Sequence, residues 1–378
     1  MNNNTFTESF KNVTDFRQPW KIKHKLIDII FIAVVATIAG ADKWIDVADF
    51  ADDKEEFLKQ YISLENGAPS HDTFERIFEN LDSEAFNKSF ISWTNTITNN
   101  SKDRIIAIDG KTSRRSHDKE IDKKAIHIVN AWVDENDLIL GQLKTSEKSN
   151  EITAIPELLD LLFIKGSIIT IDAMGTQKKI AAKIIEKEAE YVLALKGNQG
   201  TFNKEVKEYF EDAMLNDFKD IEVSKKITLE KGHGRIERRE YYQTSDINWF
   251  EDKSEWENLN SFGMVKRTVT KNSKTTEEIF YYISSLEMPK DKPCDCFAKA
   301  VRKHWGVESC HWILDVVFRE DDSRVRKNNG AINQSMIKKI SLNILKQEKV
   351  SGNTISLRRK RNKAARDDNY LKEIINNI

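Results

Sequence analysis

Apolar residues recur at helical spacing from Lys25 to about Thr98. Phe50, Phe57, Leu58 and Tyr61 fall on one helix face, and Phe74, Ile77, Phe78 and Leu81 on another. Pro69-Ser70-His71-Asp72 reads as a turn entering a helix, with Ser70 at the N-cap. The most apolar run, Ile29 to Ala36, lies within Leu26 to Ala41 and has Asp28 near its start. It is shorter than the ~20 residues of a membrane span, so it predicts a buried helix. Residues 1–20, rich in Asn and Thr, read as a loose arm.

At Arg104 the pattern changes. Ile105 to Ile108 is a short continuous apolar run closed by Asp109-Gly110, the mark of a buried strand. Ala125 to Val133 alternates as a second strand, and Leu138 to Leu143 is a third, turned at Asn136-Asp137. Glu151 to Phe163 predicts a helix, Ser167 to Ile171 a buried strand stopped by Asp172, Lys178 to Glu188 a helix, and Tyr191 to Leu195 a fifth strand. The order β-β-β-α-β-α-β is an α/β class with a mixed sheet, not a regular βαβ repeat.

Extended segments then follow at Val223 to Leu229, Arg238 to Gln243, Phe262 to Thr270 and Ile279 to Ile283. Turn signals such as Gly232-His233-Gly234 and Asn272-Ser273 join them into a β-rich insertion. Helix returns from Phe297 to about Phe318 and from Ala331 to Gln347, and a basic tail holds Arg358, Arg359, Lys360, Arg361 and Lys363. The segments divide as 1–100, a helical N-terminal domain; 101–215, the first part of the core; 216–290, the insertion; 291–350, the helical closing part; and 351–378, the tail.

Composition adds limits. A chain of 378 residues with 39% hydrophobic residues supports two or three structural units. Its 60 basic and 61 acidic residues nearly cancel, which excludes a uniformly basic coat. A basic groove beside an acidic metal site would cancel in the same way. Cys294, Cys296 and Cys310 cannot all pair, and no secretory leader is apparent, so reduced thiols in a cytoplasmic protein are expected.

Two carboxylates occupy matching places: Asp109 ends one apolar strand and Asp172 another. An Asp just past a buried strand reaches the sheet rim, where ligands bind. Gly110 in one case, Ala173 and Gly175 in the other, leave room for a phosphate or metal to approach. Asp also simply stops strands, but two at equivalent positions favour a metal site. A third acid is offered by the helix around Trp305. On it His304, Glu308, His311 and Asp315 share one stripe, beside an apolar stripe of Val301, Trp305, Trp312 and Val316 that would pack on the sheet. Grouped carboxylates repel unless cations neutralise them, and hard oxygen donors suit Mg²⁺, with Mn²⁺ as a substitute. Polar and basic residues recur near these positions: Lys111, Arg114 and Arg115; Lys196, Asn198 and Gln199; Arg235, Arg238 and Arg239; Arg324, Arg326 and Lys327. Such residues would contact phosphate and provide position rather than sequence choice. Trp249 and Trp256 fit the core better than base stacking.

Several long segments together resemble the insertion-sequence DDE transposases of the group that includes the bacterial H-repeat-associated proteins. They are HKLIDIIF, ENGAPSHDTFERIF, IAIDGKTSRRS, KTSEKSNEITAIPELL, TIDAMGTQ, LALKGNQG, HGRIERRE, YYISSL, RKHWGVESCHWILDVVFREDDSRVRK and LRRKRNKAARDDNYL. The resemblance implies an RNase H-like core interrupted by a β-rich insertion, behind a helical N-terminal domain that could bind DNA ends. It also implies Mg²⁺-dependent transposition on double-stranded DNA, a homodimer in the synaptic complex, and nucleoid association. Carried over by position, the acids are Asp109 in IAIDGK, Asp172 in TIDAMG and Glu308 in HWGVES. Ser309 and Cys310 give the shorter of the family's spacings between this Glu and the following His-Trp. That leaves Glu320 or Asp321 as alternative third acids. Three other readings stay open at this level: a DNA-binding relative that no longer transposes, a zinc hydrolase using His304, Glu308 and His311, and a structure-specific nuclease on the same fold.

Overall fold

The computed structural model describes residues 4–98, 101–117, 125–145, 151–232, 234–351 and 355–376. In chain order the helices are α1 (Asn4–Phe10), α2 (Leu26–Ile38), α3 (Trp44–Asp53), α4 (Glu55–Leu58), α5 (His71–Asn80), α6 (Ser83–Ile97), α7 (Glu151–Leu161), α8 (Lys178–Glu186), α9 (Gly200–Leu215), α10 (Asp295–His304), α11 (Gly306–Val316), α12 (Gly330–Gln347), α13 (Leu357–Arg366) and α14 (Asp368–Ile375). The strands are β1 (Ile105–Thr112), β2 (His127–Val133), β3 (Leu138–Lys144), β4 (Ile168–Ile171), β5 (Glu190–Leu195), β6 (Ser224–Gly232), β7 (Arg235–Thr244), β8 (Ser261–Lys271) and β9 (Lys274–Ser284). His233, in one of the expected turns, lies outside the described residues, as does the stretch 146–150 of the KTSEKSNEITAIPELL segment. No helix among the described residues is long and apolar enough to cross a membrane.

The chain forms two compact units. The first comprises Met1–Asn99, Gly110–Lys148 and Glu308–Ile378; the second comprises Asn100–Asp109 and Ser149–Val307. The chain passes between them inside β1, after Asp109, and in the first turn of α11, before Glu308.

In the first unit, α2 is apolar on nearly every face and is buried almost throughout, as its sequence requires. It packs against α12, whose polar residues bolt it to its neighbours. Asn343 exchanges two hydrogen bonds with the backbone of Ile139, and Asn333 donates to the carbonyls of Phe78 and Leu81. β2 and β3 form an antiparallel hairpin turned by Asn136 and Asp137, both at positive φ. The end of β1 lies beside β2, where the Ser113 N–H donates to the Ile126 carbonyl. Two expectations change here. The N-terminal arm is not loose: α1 buries Phe6 and Phe10 against Trp93 and Phe86 of α6. The basic tail is two helices, α13 and α14. Lys360 and Arg361 are buried, with Lys360 paired to Glu348 and Arg361 to Asp42. These two charges therefore hold the fold together rather than face a ligand.

In the second unit the strands run in the order β1-β4-β5-β9-β8-β7-β6. β1, β4 and β5 are parallel, and the remainder antiparallel. The β-rich insertion is therefore continuous with the parallel strands, because β9 pairs with β5 from Val192↔Ser284 to Leu195↔Tyr281. On one face, α10 packs Phe297, Ala298 and Val301 against Ile168, Val192, Tyr241 and Val265. Gly263 makes this possible: a Cβ there would lie 2.2 Å from the Phe297 ring. Trp256 is buried among Phe202 and its neighbours, while Trp249 is partly exposed, stacks on Tyr209 and donates to the Asp246 carbonyl.

The long helix expected from Phe297 to Phe318 is interrupted. α10 ends at His304, Trp305 caps it, and α11 restarts at Gly306. Glycine is a weak helix former, and Trp305 is held from the side by the Arg267 guanidinium, 6.0 Å from its ring. The expected apolar stripe is also turned outward. Trp305, Trp312 and Val316 are exposed, whereas Val307, Cys310, Leu314 and Phe318 are buried.

Candidate active site

Asp109 and Asp172 come together through strand register. β1 and β4 are parallel neighbours paired from Ile105↔Ile168 to Ile108↔Ile171, so each Asp is the next residue past the last pair. Adjacent strands lie ~4.8 Å apart, which sets the two acids side by side at the carboxyl edge of the parallel strands. The apolar residues before them have to be buried, and the two Asp residues mark where that burial ends.

Asp172 leaves the strand and caps a short 3-10 turn, Ala173–Gly175. Its Oδ1 accepts from the amides of Met174 at 3.0 Å and Gly175 at 3.4 Å. Burial pushes its carboxyl up. The Gly175 and Met174 amides pull the other way, Glu151 at the start of α7 adds to the rise, and Lys196 opposes it; the balance is upward. Gly175 has a packing reason rather than the ligand-approach reason expected from sequence. A Cβ there would sit 2.3 Å from Cγ2 of Ile171 and 3.0 Å from Cδ1 of Ile155.

The loop after β5 is stitched onto this turn. The Asn198 side-chain amide donates to the Ala173 carbonyl, and that of Gln199 to the Thr176 carbonyl at 2.8 Å. Thr176 in turn donates to the Ala194 carbonyl. Asn198 and Gln199, expected to meet a phosphate, thus each commit an amide to positioning the Asp172 turn. His304, at the end of α10, hydrogen-bonds Thr170 Oγ1 through Nδ1 at 3.0 Å, two residues before Asp172 on β4. Burial, reinforced by Lys196, holds its imidazole down to about 4, so it is neutral at physiological pH. Glu151 and the Thr170–His304 pair were not visible from sequence. The only signal was their place in the strings that carry the family resemblance.

In the first unit, Glu308 is exposed in the opening turn of α11. Lys111, expected on DNA, is tied up instead: its ammonium meets Asp315 at 2.6 Å and Glu320 at a shorter distance, and its side chain is only 10% exposed. Glu320 is buried, and its second oxygen accepts from Ser335 at 2.6 Å. Burial alone would raise its carboxyl, but Lys111 and Lys339 outweigh this and hold it down to about 2. Glu320 is thereby the counter-ion of buried lysines. Asp321 pairs with Arg114 at 3.5 Å, and Arg115 with Asp322 at 3.2 Å. Arg324 is exposed without an ion pair among the described residues, and Arg326 Nε reaches the Arg115 carbonyl at 3.5 Å. His311 of α11 lies 3.4 Å from Asn130 Nδ2. Among the described residues no three His, Cys, Asp or Glu side chains are gathered as a metal-binding group. In the insertion, Arg235 pairs with Glu237 at 3.4 Å and Arg238 with Glu240, both partly exposed.

Two models match the chain: a DDE_Tnp_1-associated family over residues 7–94 and a Transposase DDE domain over residues 100–344. The chain is 45% identical to a putative transposase, YncI, of Escherichia coli O157:H7, over 96% of this chain and 92% of that protein. It is 42% identical to the H repeat-associated putative transposase YhhI of Escherichia coli strain K12, over 97% of each. Among solved structures, a piggyBac transposase synaptic complex with hairpin DNA aligns at a TM-score of 0.45 and 12% identity, covering 97% of this chain and 77% of that one.

Proposed function

The chain belongs to the DDE transposase family, and from that premise we propose that it cuts DNA at the ends of a mobile element and joins the freed 3′-hydroxyl to target DNA. The observation that carries this reading is the register of Asp109 and Asp172 at one edge of adjacent parallel strands. The strand orders β3-β2-β1 in the first unit and β1-β4-β5 in the second support an RNase H-like core.

Asp109, Asp172 and Glu308 are the acids proposed to hold divalent cations. The donor set fits: two neighbouring carboxylates supply hard oxygen ligands, and Asp172 Oδ1 is oriented by the turn while Oδ2 accepts no hydrogen bond among the described residues. Mg²⁺, or Mn²⁺ in its place, would supply Lewis-acid activation of water or a 3′-hydroxyl and stabilisation of the leaving oxygen. The chain's own part is to hold the acids. The Ala173–Gly175 turn fixes Asp172, Asn198 and Gln199 fix that turn, and Thr170–His304 secures the strand behind it. Lys196, Arg114, Arg115, Arg235, Arg238, Arg324 and Arg326 are proposed to meet the DNA backbone; Lys111 is assigned to the protein interior. Joining two element ends calls for two chains, so the working form is proposed to be a homodimer on DNA.

The test is strand cleavage and transfer on labelled DNA bearing the element's own ends, with Mg²⁺ or Mn²⁺. Asp172→Asn should abolish both while leaving DNA binding and the melting temperature close to wild type, because an Asn oxygen can still cap the turn. A folded wild type that binds those ends but never cuts them would move the assignment to a DNA-binding relative.

A further inference from the structure

We infer that β6 is a self-association edge at which two copies of this chain pair antiparallel about Thr228. β6 is the terminal strand in the order of the second unit, and among the described residues nothing pairs with its outer side. It runs nine residues, Ser224 to Gly232, long for an edge. Its side chains alternate strictly. Ile227 and Leu229 face solvent at 47% and 69% exposure, joined on that face by Ile236 of β7 at 44%. Natural sheets often blunt such an edge with lysines or a proline. β6 has no proline, and of its three lysines Lys225 and Lys226 are paired within the chain to Glu240 and Asp295, while Lys231 stands next to the strand's end.

Its sequence is complementary to itself instead. In an antiparallel pair centred on Thr228, Ile227 lies opposite Leu229 of the second copy, and two-fold symmetry produces that contact twice. Lys226 lies opposite Glu230, again twice, so each charge meets its opposite. Both already belong to networks within the chain: Lys226 with Asp295, and Glu230 with Arg302 at 2.9 Å and Arg239 at 3.2 Å. The opposing copy would extend those networks. The like-charged pairing, Lys225 against Lys231, also occurs twice and falls near the ends of the strand. Lys225 there is neutralised by Glu240 at 3.3 Å and lies over the Tyr242 ring. A shift of one residue would break this pattern, because the side-chain period is two.

This gives a surface to the two-chain assembly proposed above and in that sense rests on it. The test uses neither DNA nor metal, so the two can fail separately. The full chain is followed by sedimentation equilibrium from low micromolar to ~100 µM, a range that captures interfaces of modest size. Wild type should dimerise reversibly. Ile227→Glu and Leu229→Lys each place a charge against an apolar partner and should weaken the dimer by about tenfold or more. Both positions are exposed, so thermal melts should be unchanged. In an equimolar mixture of the two variants, the introduced carboxylate of one copy faces the introduced ammonium of the other. The remaining contact sets the native Leu229 of the first variant against the native Ile227 of the second, so the mixture should recover association. A monomeric wild type at the top of the range overturns the inference. So do variants that dimerise like wild type, or a mixture that fails to recover.

Discussion

Replacing Lys111 with Met removes a charge from the interior of the first unit while keeping most of the side-chain volume. In the wild type the Lys111 ammonium is shared between Asp315 and the buried Glu320. Deleting one partner of a buried pair costs about 3–5 kcal/mol, because the other charge stays buried. Two features favour the low end. Lys339 still acts on Glu320, and Asp315, 31% exposed, can turn to water. The expected loss is about 3 kcal/mol, measured by urea unfolding at pH 7. The pH dependence supplies a second readout. Glu320 has a folded pKa of about 2, below its ordinary value near 4.5, so its contribution is fully present above the unfolded pKa and is lost as pH falls towards 2. In Lys111→Met that acid limb should flatten, since burial then dominates the Glu320 carboxyl. Lys111→Met/Glu320→Gln should recover part of the loss by removing the orphaned charge. The opposite outcome is equally definite. A variant as stable as wild type, with weaker DNA binding and a shallower salt dependence, would return Lys111 to the phosphate contacts and refute the interior ion pair.

Two further outcomes follow from the same packing. Gly175→Ala forces a methyl into Ile171 and Ile155, so it should destabilise by about 1–3 kcal/mol and depress cleavage beyond what the lost folded fraction explains; an unchanged melting temperature would contradict the contact. Burial holds the Lys339 ammonium down to about 8, so the unfolded chain binds more protons than the folded one above that pH. The stability difference between wild type and Lys339→Met should therefore climb from about pH 8 towards the unfolded lysine pKa, and a flat difference in denaturation midpoints would count against it.

The sequence by itself determined the elements whose character is local. IIAID and SIITID are apolar runs that must be buried and then stop at a charge, so both strands and both acids at the limit of burial were legible, although β1 runs past Asp109 to Thr112. The buried α2 and the four extended segments of the insertion were legible for the same reason, since burial period is written residue by residue. Family membership was legible too, because long strings such as RKHWGVESCHWILDVVFREDDSRVRK carry it whatever the fold. Only the tertiary structure decided what depends on partners distant in the chain. Ile108↔Ile171 made neighbours of two acids 63 positions apart, and β9 chose β5 through backbone hydrogen bonds that no side chain announces. Lys111 looked like a phosphate contact until Asp315 and Glu320, some 200 positions on, neutralised it. Trp312 fits an apolar stripe by spacing yet faces outward, because α11 buries Val307, Cys310 and Leu314 instead. The tail read as basic, but Glu348 and Asp42 supply the counter-charges that bury Lys360 and Arg361. A charge has no fixed meaning along the chain; burial and the identity of its partner assign one, and both are properties of the packed molecule.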